Sequence, residues 1–140
     1  MARMSQPTSL RLPAATDALI RAEAKRTRRS KSAVLQAVAD EGIRARAFPG
    51  ISFRDVDPRR RAWVVGTGLD VWEIIAAYKQ LDESVERLVG ETELSDANAR
   101  LAIAYYKRFP EEIDDVIAEN EATAVEHADL FPTVAFPPQS

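Results

Sequence analysis

The stretch TSLRL, residues 8–12, followed at once by Pro13, limits the fold more than any other part of the chain. Leu10 and Leu12 alternate with Ser9 and Arg11, the period-two pattern of a strand with one apolar face. Five residues cannot satisfy their own backbone groups, so this strand needs another to pair with. Two candidates exist: Trp63–Val65 of the same chain, and a second copy of residues 8–12. The first 48 residues are also too few to bury a substantial core alone. An antiparallel pair of copies meets both needs. Leu10 and Leu12 would enter a shared core, and Ser9 and Arg11 would face outward on a two-stranded ribbon. Such a ribbon fits the major groove of DNA, where arginine suits a guanine edge.

Apolar spacing then organises the rest. Pro13 opens a helix over about 14–27, with Ala15, Ala18, Leu19 and Ala22 as its expected apolar stripe and Ile20 beside it. Ser30 or Ser32 caps a second helix over about 32–46, which would bury Val34, Leu35, Val38 and Ile43. Pro49, Gly50 and Pro58 mark loops, and a domain boundary is expected near Phe48–Gly50. Trp63–Val65 reads as a short strand entering a turn at Gly66 and Gly68. Asp70 is placed to cap a helix whose apolar face is Val71, Ile74, Ile75 and Tyr78. Asp82 is the expected cap of a short helix closed by Gly90. Ser95 caps a longer one, with Ala97, Leu101, Ala104 and Tyr105 inward. Pro110 starts a last helix that runs to about His127, and a proline-rich tail follows.

Composition narrows the class. With 46% hydrophobic and 29% charged residues the chain reads as globular rather than disordered. It has no cysteine, which excludes disulfides and thiolate metal sites and fits a cytoplasmic location. No apolar run has the length of a signal peptide core or a membrane span, so no membrane partner is expected. Charge is unevenly spread. Residues 1–48 carry ten Lys/Arg against four Asp/Glu, net +6; residues 49–110 carry nine against ten, net −1; residues 111–140 carry none against eight, net −8. A basic end suits a polyanion, and an acidic end suits something else.

Residues 8–43, from the strand ending Leu12-Pro13 to the RRSKSAVLQAV that opens the second helix, resemble a ribbon-helix-helix DNA-binding domain. The resemblance implies base reading by Ser9 and Arg11. It implies phosphate binding by Ser30, Lys31 and Ser32, where a helix start attracts anions. Pro7 stands at the third base-reading position, and Arg28 stands where the family usually has glycine between its helices. Residues 62–109 resemble the small helical domain DUF433 in Gly66-Thr67, Val71-Trp72, Leu94-Ser95, Ala102 and Tyr105; Gly68 replaces the arginine usual there. Together these imply a mainly α fold: a ribbon-helix-helix dimerisation domain over 1–48, then a helix-turn-helix-like helical domain with one short β element over 49–128, then a proline-rich tail over 129–140.

A DNA-binding amino end joined to a partner-binding carboxyl end is the layout of a type II antitoxin, and both resemblances point to the VapB-like class. The implied partners are operator DNA, a PIN-domain ribonuclease toxin and a second copy held through the first strand. The apolar set on the last helix and tail, Ile113, Val116, Ile117, Phe131, Val134 and Phe136, would meet the toxin; packing of the helix stripe on its own domain is the competing reading. The contiguous Glu111, Glu112, Asp114 and Asp115 diverge around a helix and do not converge on a metal. No acid, base and nucleophile set appears, so no enzyme, metal or cofactor is expected. The alternative function is a dimeric transcriptional regulator without a toxin.

Overall fold

The computed structural model describes residues 5–56 and 59–130. The chain divides into two units, residues 1–43 and 44–140. It is mainly helical, with a small antiparallel sheet. Among the described residues no helix is long and apolar enough to cross a membrane.

In the first unit, residues 5–13 form neither helix nor strand within the single chain. Helix α1 (Ala14–Thr27) begins directly after Pro13, whose fixed φ suits a helix entry. It stops at Arg28, which takes the left-handed conformation at φ 56°. The Arg28 N–H donates to the Lys25 carbonyl at 3.3 Å and the Arg29 N–H to the Ala24 carbonyl at 3.0 Å, the paired closure that ends many helices. Helix α2 (Lys31–Ala47) is capped by Ser30, whose Oγ accepts the Ala33 N–H at 3.0 Å. The division between units falls inside α2, after Ile43 and four residues short of its end, rather than at Phe48–Gly50.

Burial in this unit differs from the pattern expected. Among its described residues only Ile20 and Val34 are buried. Ala15, Ala18, Leu19 and Ala22 are exposed, as are Val38 and Ile43, and Leu35 is half-buried. Two helices with no third element bury little more than the row each turns to the other. The remaining apolar rows stay exposed among the described residues.

The second unit opens with a three-stranded sheet where one short β element was expected. Strands β1 (Ile51–Arg54), β2 (Arg61–Val64) and β3 (Leu69–Asp70) lie in the order β1-β2-β3, all antiparallel. Ile51 faces Val64 and Arg54 faces Arg61; on the other side Trp63 faces Asp70. β1 has the alternation of a strand, but Pro49, Gly50 and Pro58 around it read as loop signals. Helices α3 (Val71–Gln80), α4 (Val85–Glu91), α5 (Asp96–Arg108) and α6 (Pro110–Leu130) follow. α3 packs against β2, α5 and α6, and the core gathers Val64, Val71, Ile74, Ile75, Leu88 and Tyr105.

The helix boundaries have local causes. Glu73 Oε1 accepts the Asp70 N–H at 3.0 Å at the start of α3. Ser84, not Asp82, caps α4: its Oγ accepts the Arg87 N–H at 3.2 Å. Asp82 and Glu83 are instead two successive left-handed residues, and Asp82 binds the Arg87 guanidinium at 2.8 Å. Gly90 lies inside α4, which ends one residue later. Ser95 caps α5 through the Asn98 N–H at 3.1 Å. Along α5 the buried residues are Ala99, Ala102, Ile103 and Tyr105, while Ala97 and Ala104 are exposed. Apolar residues occur on nearly every side of this helix, so neighbours rather than periodicity select its inner face.

Two substitutions test these local causes. Gly50 has φ +103°, and a Cβ there would sit 2.7 Å from Leu101 Cδ2. Gly50→Ala should therefore destabilise the second unit by about 1–3 kcal/mol; an unchanged denaturation midpoint would contradict this. Arg28→Gly relieves a left-handed non-glycine residue and should stabilise the first unit by about 0.5–1 kcal/mol. A fall in the midpoint of that unit's unfolding would show that the Arg28 side chain matters more than its backbone.

Candidate nucleic-acid interface

The residues expected to meet DNA all belong to the first unit. Ser9 and Arg11 are exposed on the unpaired segment before α1. Ser9 and Lys31 line one shallow cleft of about 290 Å³, together with Leu10, Leu12, Asp17 and Leu35. Arg11, Ser30 and Ser32 are not part of that lining. Ser30 and Ser32 are exposed at the start of α2. The Ser30 hydroxyl already accepts the Ala33 N–H, and its carbonyl accepts the Val34 N–H at 3.1 Å. Ser32 Oγ accepts from the Gln36 amide at 3.3 Å. What the start of α2 offers an anion is thus the N–H groups of its first two residues, Lys31 and Ser32, and the helix dipole.

Lys31 is not a bare cation. Its Nζ bonds to Asp17 Oδ1, and Asp17 Oδ2 accepts from Arg21 Nε at 2.7 Å. The hydrogen bond from Lys31, then that from Arg21, hold the Asp17 carboxyl below the ordinary aspartate range. A phosphate arriving at this helix start meets Lys31 already engaged with a carboxylate four residues into α1. Sequence spacing alone does not reveal this pair, which joins two helices fourteen positions apart.

In the second unit the last turn of α2 is held by a polar network. Arg44 Nη1 donates to Tyr105 Oη at 3.0 Å and to Glu112 Oε1 at 2.8 Å. Tyr105 donates its hydroxyl proton to Glu112 Oε2 at 2.9 Å. The Arg44 guanidinium lies 3.9 Å over the Phe109 ring, and the Phe48, Tyr105 and Phe109 rings pack edge-on or tilted against one another. The Tyr105 ring is fully buried, and its hydroxyl finds both a donor and an acceptor.

The same helix α6 is tied down further along. Lys79 Nζ and Tyr106 Oη both bond Asp114 Oδ1, at 2.8 and 2.9 Å, and Arg61 approaches Glu119 at 3.8 Å. Three of the acidic residues of α6 thus face cations of their own unit. Its apolar stripe does likewise. Ile113, expected at a partner surface, is 3% exposed and belongs to the core. Ile117 packs against that core and Val116 is half-buried. Phe131, Val134 and Phe136 lie outside the described residues. Glu111 and Asp115, and residues 121–124 on the next turn, are exposed.

The network around Tyr105 has a pH signature. Burial, ahead of the other causes, raises the phenol well above its ordinary value. A tyrosine ionises near pH 10 when unfolded, whereas this one stays neutral while folded. Its contribution is therefore complete below pH 10 and is lost as pH rises beyond it. Tyr105→Phe should cost about 1 kcal/mol near neutrality and weaken the alkaline loss of stability. Denaturation midpoints at pH 7 and pH 10.5 check this; an identical alkaline loss in both proteins would contradict it. No protein family, curated protein or solved structure matches the chain.

Proposed function

We propose that the chain is a dimeric DNA-binding regulator of the antitoxin type, in which two first units share a ribbon made from residues 8–12. The observation that carries the reading is the apolar surface left uncovered in the first unit. Leu10 is 62% exposed, Leu19 72%, Val38 50% and Ile43 64%, against only two buried apolar side chains. A unit this small does not hold such surface in water without cost, and a second copy supplies the cover. The candidate partner within the chain is already engaged: Trp63 and Val64 pair with β1 on one side and β3 on the other. Arg11, exposed beside Leu10, would then project from the ribbon toward base edges, with the start of α2 against a phosphate. The chain represses its own operon in this reading and performs no catalysis.

The second part of the proposal concerns a PIN-domain ribonuclease toxin. In this reading the toxin meets the exposed side of α6 and the tail carrying Phe131, Val134 and Phe136. The alternative, a dimeric regulator without a toxin, is favoured by one observation. Ile113, Glu112, Asp114 and Glu119 are all engaged within their own unit, which leaves less of α6 to a partner.

Light scattering of the full chain should give the mass of two copies, and Leu10→Asp should shift it to one. Arg11→Ala should weaken binding to a duplex from upstream of the gene by about 1–3 kcal/mol while leaving the mass unchanged. A single-copy mass for the unaltered chain at working concentration would overturn the reading. Truncation after Ala128 should release a protein encoded beside this one; retained co-purification would remove the tail from the proposed interface.

A further inference from the structure

We propose that the β1–β2 hairpin of the second unit is a phosphate-contacting element on duplex DNA, one that adds affinity without reading sequence. The inference rests on the DNA-binding reading above and extends it to a unit that reading leaves without a nucleic-acid role.

The second unit carries eleven Lys/Arg against eighteen Asp/Glu. Four of those eleven, Arg54, Arg59, Arg60 and Arg61, fall within eight residues, accompanied by Asp55 and Asp57. The fold concentrates them further, because Arg54 and Arg61 stand directly opposite each other on neighbouring strands. Like charges in that register disfavour the pairing, and each has a carboxylate near it: Asp70 at 2.7 Å from Arg54 and the exposed Glu119 at 3.8 Å from Arg61. Arg54 is stabilised locally: Asp70 accepts from its Nε at 2.8 Å, and its guanidinium lies 4.6 Å over the Trp63 ring. Arg60 donates to the carbonyls of Asp55 and Phe53 at 3.2 and 2.9 Å, which fixes its head at the hairpin. Arg59 is exposed and makes no ion pair among the described residues. Val56, two residues after Arg54, is 80% exposed.

The partner class follows from charge. A unit of net −7 tethered to a DNA-bound unit is repelled by the duplex unless it turns a cationic element toward the phosphates. The hairpin is such an element, and tethering makes even a weak contact effective. An arginine meeting phosphate contributes to every duplex alike, since phosphates carry no sequence information.

The test uses the full chain, a duplex from upstream of its gene and a random duplex of equal length, with affinity measured from low to moderate salt. Arg59→Ser, which removes an exposed side chain, should lower the slope of log affinity against log salt by about 1. It should weaken binding to both duplexes by the same factor. Arg59→Lys should keep the slope, because a phosphate contact needs charge rather than a planar fork. Arg59→Ser/Arg61→Ser should lower it by about 2, with thermal melting confirming the fold. An unchanged slope in both Ser variants, with Arg11→Ala still weakening the upstream duplex, would overturn the hairpin contact and leave the ribbon reading standing. An unchanged slope accompanied by weaker self-association would overturn it in favour of the acidic helix of a second copy. An unaltered chain that binds neither duplex would overturn both readings together.

Discussion

A backbone edge must be paired or hydrated, and at Trp63 and Val64 β2 has neither edge to spare. Trp63 and Val64 lie in the middle strand of their sheet, with Ile51 and Ser52 opposite them on β1 and Asp70 and Leu69 on β3. The one strand in the chain that the sequence offered to residues 8–12 is therefore occupied. The rest of the functional reading depends on this. If Leu10 had a neighbour in β2, the first unit would be part of a monomeric fold and Arg11 would be an ordinary surface residue. Instead the segment keeps its polar backbone and its leucines without partners of regular structure, in a unit that buries two apolar side chains. Hydrophobic burial scales with area removed from water, at about 25 cal/mol per Å². The force favouring self-association is thus set by the same surfaces that make the isolated unit marginal.

The second unit has the opposite character. Its core is continuous, and among the described residues its buried side-chain polar atoms all have partners. Tyr105 shows how: a buried ring among Phe48 and Phe109, with a hydroxyl that accepts from Arg44 and donates to Glu112. A buried hydroxyl without partners costs more than its hydrogen bonds return, so the arginine and glutamate are what allow a tyrosine there. The same logic runs along α6, where Asp114 takes hydrogen bonds from Lys79 and Tyr106 that lower its pKa. The acidity of the carboxyl end is in part an internal counter-charge, not wholly a surface directed at a partner.

Much of the fold was legible in the sequence where local chemistry decides it. Pro13, Ser30, Asp70, Ser95 and Pro110 set helix starts through effects confined to one turn, and each stands where its residue type predicts. Val71, Ile74 and Ile75 form a face because they recur at the three- and four-residue spacing of one side of a helix. What could not be read depends on long-range choices. β1 was hidden because turn residues surround a four-residue alternation that only a partner strand makes regular. The inner face of α5 was misassigned because its alanines occur on several sides and the neighbouring helices select among them. In the candidate interface, Ser9, Arg11 and Ser30 lie exposed as their positions suggested, but the engagement of Lys31 by Asp17 is a tertiary pair. The burial of Ile113 was open for the same reason: an apolar stripe on an amphipathic helix has the same spacing whether it meets its own domain or another protein.

The Asp17 pair bears on how the start of α2 can hold an anion. Its carboxylate, kept ionised by Lys31 and Arg21, already places a negative charge near the helix start. In the proposed reading a phosphate would meet a Lys31 ammonium already bonded to Asp17, beside a helix start whose Ala33 and Val34 N–H groups are taken by Ser30. The two interactions differ in what they require. The N–H groups are fixed by the helix and need no rearrangement, whereas the Lys31 ammonium, with three donors, would share its charge between Asp17 and a second anion. Exposed ion pairs are weak enough for that sharing to be modest in cost. In the proposed DNA-bound state the backbone groups would supply position and the lysine a charge. Arg59 on the hairpin, with no carboxylate partner among the described residues, has no such sharing to make.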